Sequence, residues 1–90
     1  MLRIPDEVAT VIQRLHPGLK RKVRASLEIL VAEPHAGKAL KEELSGLRSL
    51  RVGRLRIIYR ISRKKQIEVV AIGPRQRIYE ETYKLLSKEV

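Results

Sequence analysis

The first third of the chain repeats apolar residues at helical spacing. Val8, Ile12 and Leu15 fall on one face, and Pro5 followed by Asp6 and Glu7 makes a helix start with acids where the dipole favours them. His16-Pro17-Gly18 is expected to end that helix. A second face runs through Leu19, Val23, Leu27, Leu30 and Val31 and stops at Glu33-Pro34. The two predict a helical hairpin joined by a tight Pro-Gly turn, with a short strand, Met1 to Ile4, ahead of it. His35 to Gly46 has no regular period and reads as a connector, with Gly37 and Gly46 as its breakers.

From Leu47 the period changes. Leu50 and Val52 fall on one side and Ser49 and Arg51 on the other, the alternation of a half-buried strand. Gly53-Arg54 suits a two-residue hairpin loop with glycine first. Leu55, Ile57, Tyr59 and Ile61 then alternate with Arg56, Ile58 and Arg60. Ser62 to Lys65 predicts a polar turn, and Gln66 to Ile72 a third strand ending at Gly73-Pro74. A last helix follows, with Tyr79, Tyr83, Leu86 and Val90 in one stripe. The predicted fold class is α+β: an N-terminal helix hairpin packed on a small, mainly antiparallel three- to four-stranded sheet, with a C-terminal helix. Ninety residues carry one domain, and a chain of that length buries only roughly 60–65% of its unfolded surface.

The hairpin register brings charge together. If Val52 pairs with Leu55, then Arg51 lies opposite Arg56 and Ser49 opposite Ile58. Like charges directly opposed across a sheet repel. The acids nearest in sequence, Glu42, Glu43 and Glu68, are not obviously placed to reach both arginines. An anionic ligand would relieve the repulsion; the alternative is a solvated face with both side chains splayed into water. Arg75 and Arg77 add cations just after the third strand, where the N–H groups of a helix start also favour a phosphate.

Composition points the same way. Twenty Lys and Arg against ten acids leave a formal charge of +10, a surface that attracts polyanions with strong salt dependence. Nucleic acid, the ribosome or an acidic protein fits; an anionic membrane would also attract it. No run of about 18 apolar residues is present, so no membrane partner is expected. The absence of cysteine and of a signal-like N-terminus leads us to expect a soluble cytoplasmic protein. Neither Phe nor Trp is available to line a large aromatic pocket.

What is missing narrows the chemistry. The histidines are His16 and His35, both near breakers, and the sole aspartate is Asp6. No carboxylate cluster suits a two-metal nuclease, no His/Cys set suits zinc, and no glycine-rich phosphate loop is present. We expect no metal and no small-molecule cofactor, and read both histidines as turn or surface residues. Any catalysis then falls to Arg, Lys and Tyr, a set that can cut RNA without metal. The substrate's own 2′-OH attacks the adjacent phosphorus once a base removes its proton, while guanidinium groups hold the phosphorane charge. A tyrosine phenol, with an ordinary pKa near ~10, serves as that base only where neighbouring cations depress it.

The stretch Leu-Arg-Ser-Leu-Arg-Val-Gly-Arg-Leu-Arg-Ile-Ile-Tyr from Leu47 to Tyr59, followed by Ile-Gly-Pro-Arg-Gln-Arg-Ile-Tyr from Ile72 to Tyr79, resembles the RelE/ParE toxins of bacterial and archaeal toxin–antitoxin pairs. The segment Gly37 to Lys41 and Ser45-Gly46-Leu47 also fits, so the likeness spans almost the whole chain. The ribosome-dependent nucleases of that family imply Arg51 and Arg56 as phosphate-binding and transition-state cations, Arg75 as general acid and Tyr79 as general base, with Tyr83 the alternative base. Ser49, Arg54, Arg60 and Arg77, and Lys20, Arg21, Lys22 and Arg24 on the second helix, are candidate RNA contacts. The sequence departs from the family at Ser49, where a second basic residue is common, and in its clipped first hairpin strand. The implied partners are the ribosome, mRNA and a cognate RelB/ParD-like antitoxin. The antitoxin's acidic or amphipathic segment would use the sheet and the Tyr79–Tyr83–Leu86 stripe as a groove and displace the C-terminal helix. Two alternatives stay open: a ParE-like DNA gyrase inhibitor without RNase activity, and a non-catalytic nucleic-acid binder using Lys20 to Arg24.

Overall fold

Two helices cover one face of a five-stranded sheet, and a third helix lies on the other. A computed structural model of the chain describes residues 2–88; the side chains of Arg75, Gln76 and Lys88 fall outside the described residues. The elements are β1 (Leu2–Arg3), α1 (Asp6–Gln13), α2 (Pro17–Ala32), β2 (Lys38–Ala39), β3 (Arg48–Val52), β4 (Leu55–Ile61), β5 (Ile67–Pro74) and α3 (Arg75–Lys88), with 3₁₀ turns at Pro34–Ala36 and Glu42–Leu44. The strand order is β1-β5-β4-β3-β2, with β1 parallel to β5 and every other pair antiparallel.

The hairpin forms in the expected register. Val52 pairs with Leu55, Arg51 with Arg56 and Ser49 with Ile58. Gly53 takes φ +59°, and Arg54 has no positive φ, the glycine-first hairpin turn that suits the right-handed twist of the strands. Alternation then sorts the side chains. Val52, Ile57, Tyr59, Ile67, Val69 and Ile72 join Val8, Ile12, Val23, Leu27 and Leu30 in the main core under α1 and α2. Ile58 and Ala71 face α3, where they pack with Ile78 and Leu47 in a smaller cluster. Along β5 a bulge shifts the alternation by one residue, so that Ile67, Val69 and Ile72 face the main core. Ile58 pairs with Ala71 but Tyr59 pairs with Val69, so Val70 is an extra residue in that strand.

Four expectations need correcting. The sheet has five strands rather than three or four, because β1 and β2 close its two edges. Strand β2 lies inside the segment read as a connector; two exposed residues carry no period to recognise. Pro17 and Gly18 are the first turn of α2 and not a loop. Proline suits that position because its missing N–H would be unpaired there, and the His16 Nδ1 accepts the Gly18 N–H at 3.3 Å. The stripe of α3 is also rotated. Ile78 and Thr82 are buried, Tyr79 and Leu86 are half-buried, and Tyr83 is 48% exposed. Met1 and Val90, included in the expected first strand and last stripe, lie outside the described residues.

A polar cluster holds the edge of the sheet. Tyr59 is fully buried, and its hydroxyl accepts the Gly37 N–H at 2.9 Å and donates to the Pro34 carbonyl at 2.8 Å. Beside it, Arg48 Nη2 donates to the carbonyls of Gly37 at 2.6 Å and His35 at 3.1 Å. A Cβ at position 37 would sit 2.5 Å from the Tyr59 hydroxyl and 2.9 Å from the Ser49 carbonyl, so only glycine fits. These bonds tie the irregular segment before β2 onto the centre of the sheet.

Candidate nucleic-acid interface

The α3 side of the sheet carries an open hollow of about 410 Å³ lined by Lys38, Ala39, Leu40, Lys41, Arg56 and Tyr79. Arg56 reaches it from β4, directly across from Gly73, whose lack of a side chain lets α3 start close to the sheet. The Nε of Arg56 is buried and has no hydrogen-bond partner among the described residues. Leaving a charged donor in that condition is expensive. An anion in the hollow would meet the positive charge of Arg56, which lines it.

Tyr79 stands on the second turn of α3. Its hydroxyl lies 3.2 Å from the Oγ of Ser49, which is buried on β3. The contact ties the phenol to the sheet beside Arg56. Arg51 is exposed and bends back along the hairpin, its Nε donating to the Gly53 carbonyl at 3.4 Å. Among the described residues the ion pairs are Arg3–Glu68, Arg60–Glu68 and Glu80–Lys84, so neither Arg51 nor Arg56 is held by a carboxylate.

The remaining candidates divide clearly. Arg54 sits exposed at the hairpin tip and Arg77 exposed on the first turn of α3. Arg60, expected as a phosphate contact, pairs with Glu68 at 3.4 Å in a different depression, with Arg3 and Leu86. Lys20, Arg21, Lys22 and Arg24 lie on α2, whose apolar face is buried on the opposite side of the sheet. They form a separate basic surface. Tyr83 does not line the hollow, and its exposure removes it from the packing stripe assigned to it. The Arg75 side chain lies outside the described residues, although its backbone opens α3 next to Gly73-Pro74. Sequence reasoning assigned no role to Lys38 and Lys41. Their one signal was their place in the Gly37–Lys41 segment, with nothing to show that it folds onto the sheet.

Among the described residues no three His, Cys, Asp or Glu side chains gather to hold a metal ion, and no helix is long and apolar enough to cross a membrane. The residues lining the hollow offer guanidinium, ammonium and phenol groups, a set suited to binding a phosphodiester and moving one proton.

Comparison with known proteins agrees with the fold. No curated protein matches the chain. The RelBE2 toxin–antitoxin complex of Mycobacterium tuberculosis superposes with a TM-score of 0.74 at 27% identity, over 83% of this chain and 96% of that one. The archaeal RelE–RelB complex of Pyrococcus horikoshii OT3 gives 0.69 at 29% identity, over 84% and 94%. A free mutant of the E. coli toxin RelE gives 0.74 over 100% and 96%, and at 17% identity it speaks for the fold alone. A family model described as the ParE toxin of the type II toxin–antitoxin system parDE matches residues 3–79. A RelE-like sheet with helices on both faces, matched by that model over most of its length, makes this chain a member of the ParE toxin family of type II toxin–antitoxin systems.

Proposed function

We propose that this toxin is a metal-independent endoribonuclease that cuts mRNA on the ribosome. The observation that carries the reading is Arg56, paired with no carboxylate among the described residues and lining an open hollow beside the Tyr79 phenol. In this scheme Arg56, with Arg51 opposite it on β3, holds the phosphate and the charge that builds on it. Tyr79, steadied by Ser49, takes the proton of the 2′-OH as its oxygen attacks phosphorus. Arg75, as general acid, gives a proton to the departing 5′-oxygen, and solvent later returns the proton taken by Tyr79 to Arg75. The P–O5′ bond breaks, leaving a 2′,3′-cyclic phosphate on one fragment and a 5′-hydroxyl on the other. The ribosome's part is to order the mRNA, converting a search into a fixed approach.

The test uses purified ribosomes carrying a defined mRNA. Wild-type toxin produces fragments with cyclic phosphate ends, while Arg56→Ala or Tyr79→Phe slows cutting by roughly 10²–10³, as for loss of one charge-stabilising group. Equal cutting by wild type and both variants overturns the mechanism. The parDE description of the matching family favours a second reading, inhibition of DNA gyrase without RNA cleavage. A supercoiling assay separates the two. On either reading the toxin has a cognate antitoxin, as the toxins of the M. tuberculosis and P. horikoshii complexes do.

A further inference from the structure

The sheet register places a cation, Lys38, beside Ser49. Ser49 is buried, and it pairs with Lys38 across the β2–β3 ladder. Directly opposed residues share a face, with Cβ atoms about 4.5–5.5 Å apart. Lys38 therefore rises beside Ser49 from the face that bears Arg51 and Arg56, and it lines the hollow with Arg56 and Tyr79. We propose that Lys38 is the second phosphate-binding cation of this site, supplied from the neighbouring strand where the motif position itself holds Ser49. The inference rests on the nucleic-acid reading above and names what Lys38 takes: a non-bridging phosphate oxygen of a single-stranded RNA backbone.

Two observations support it. Lys38 is exposed, and no carboxylate pairs with it among the described residues. Its backbone is also held in place, although β2 has only two residues. The preceding Gly37 is bonded through its N–H to Tyr59 and through its carbonyl to Arg48, both from the opposite side of the sheet. The lysine's backbone is held in place and its side chain is exposed, which suits a point charge meeting a phosphate. Serine at 49 then keeps a separate task, the contact with Tyr79.

The experiment compares Lys38→Gln, Lys38→Arg and, as a control for net charge, Lys64→Gln in the exposed β4–β5 turn. The probe is a single-stranded 2′-O-methyl RNA oligonucleotide, which has no 2′-OH to attack, titrated by fluorescence anisotropy at several salt concentrations. One lost phosphate contact lowers the slope of log K against log[salt] by about 0.7 for a single strand. Lys38→Gln is expected to show that drop, and Lys38→Arg and Lys64→Gln to keep the wild-type slope. A drop no larger in Lys38→Gln than in Lys64→Gln overturns the proposal, as does wild-type binding without salt dependence. The result is independent of cleavage. A lower slope in a toxin that cuts no RNA leaves the phosphate contact standing and removes the nuclease. Efficient cutting with an unchanged slope does the reverse.

Discussion

The hydroxyl of Ser49 and the phenol of Tyr79 lie 3.2 Å apart, joining the buried middle of β3 to the second turn of α3. This one contact couples the sheet to a helix that otherwise rests on the small cluster of Ile58, Ala71 and Ile78. Removing it with Ser49→Ala is expected to cost about 0.5–1.5 kcal/mol, the net value of an ordinary hydrogen bond. Cleavage falls further than that loss of stability explains, because the phenol loses its orientation. Urea unfolding alongside the ribosome assay checks both; unchanged cutting assigns the contact to stability alone.

Arg56 works against the fold. It opposes Arg51 across the ladder and leaves its Nε buried without a partner among the described residues. Arg56→Met keeps much of the volume while removing the repulsion and the unsatisfied donor. The variant is expected to melt at a higher temperature than wild type and to be inactive, a trade of activity for stability. Scanning calorimetry reads it, and a lower melting temperature contradicts this account.

The edge cluster makes a prediction of opposite sign. Tyr59→Phe leaves the Gly37 N–H and the Pro34 carbonyl without their partner in a buried place. That costs about 1–3 kcal/mol. Gly37→Ala does at least as much harm, since its Cβ would meet the Tyr59 hydroxyl at 2.5 Å. Chemical denaturation of the two variants measures this, and near-wild-type midpoints count against the anchor.

The two cores differ in size, so the two faces should open at different free energies. Helix α3 rests on the smaller cluster, while β4 is buried along its middle between both. Native-state hydrogen exchange should show the α3 amides opening well before those of β4 and β5. Displacement of α3 by an antitoxin would draw on this same difference. Uniform protection across residues 55–88 rules it out.

The residues that pattern strongly were legible in the sequence. Alternation from Leu47 to Ile61 around a glycine-first turn allows a single register, and that register sets Arg51 against Arg56. Strand β2 was not legible because pairing to Ser49 and Arg48 makes it a strand, and pairing leaves no trace in two exposed residues. Lys38 stayed hidden for that reason. The stripe of α3 slipped by one position because Tyr79 and Tyr83 looked like the apolar row, whereas packing chose Ile78 and Thr82. Pro17-Gly18 reads equally well as a turn or as the first turn of a helix, and the His16 side chain settles it by capping the latter.

The surplus valine in β5 gives the sheet one address for a change in length. Deleting a residue from the tandem Val69-Val70 would straighten the strand and still leave Gly73 opposite Arg56 and Ile67 opposite Ile61. The same deletion within β4 would slide every later side chain to the wrong face, since one residue of slip inverts a strand. A deletion scan across β4 and β5, read by folding yield, is expected to find its tolerated gap at this bulge.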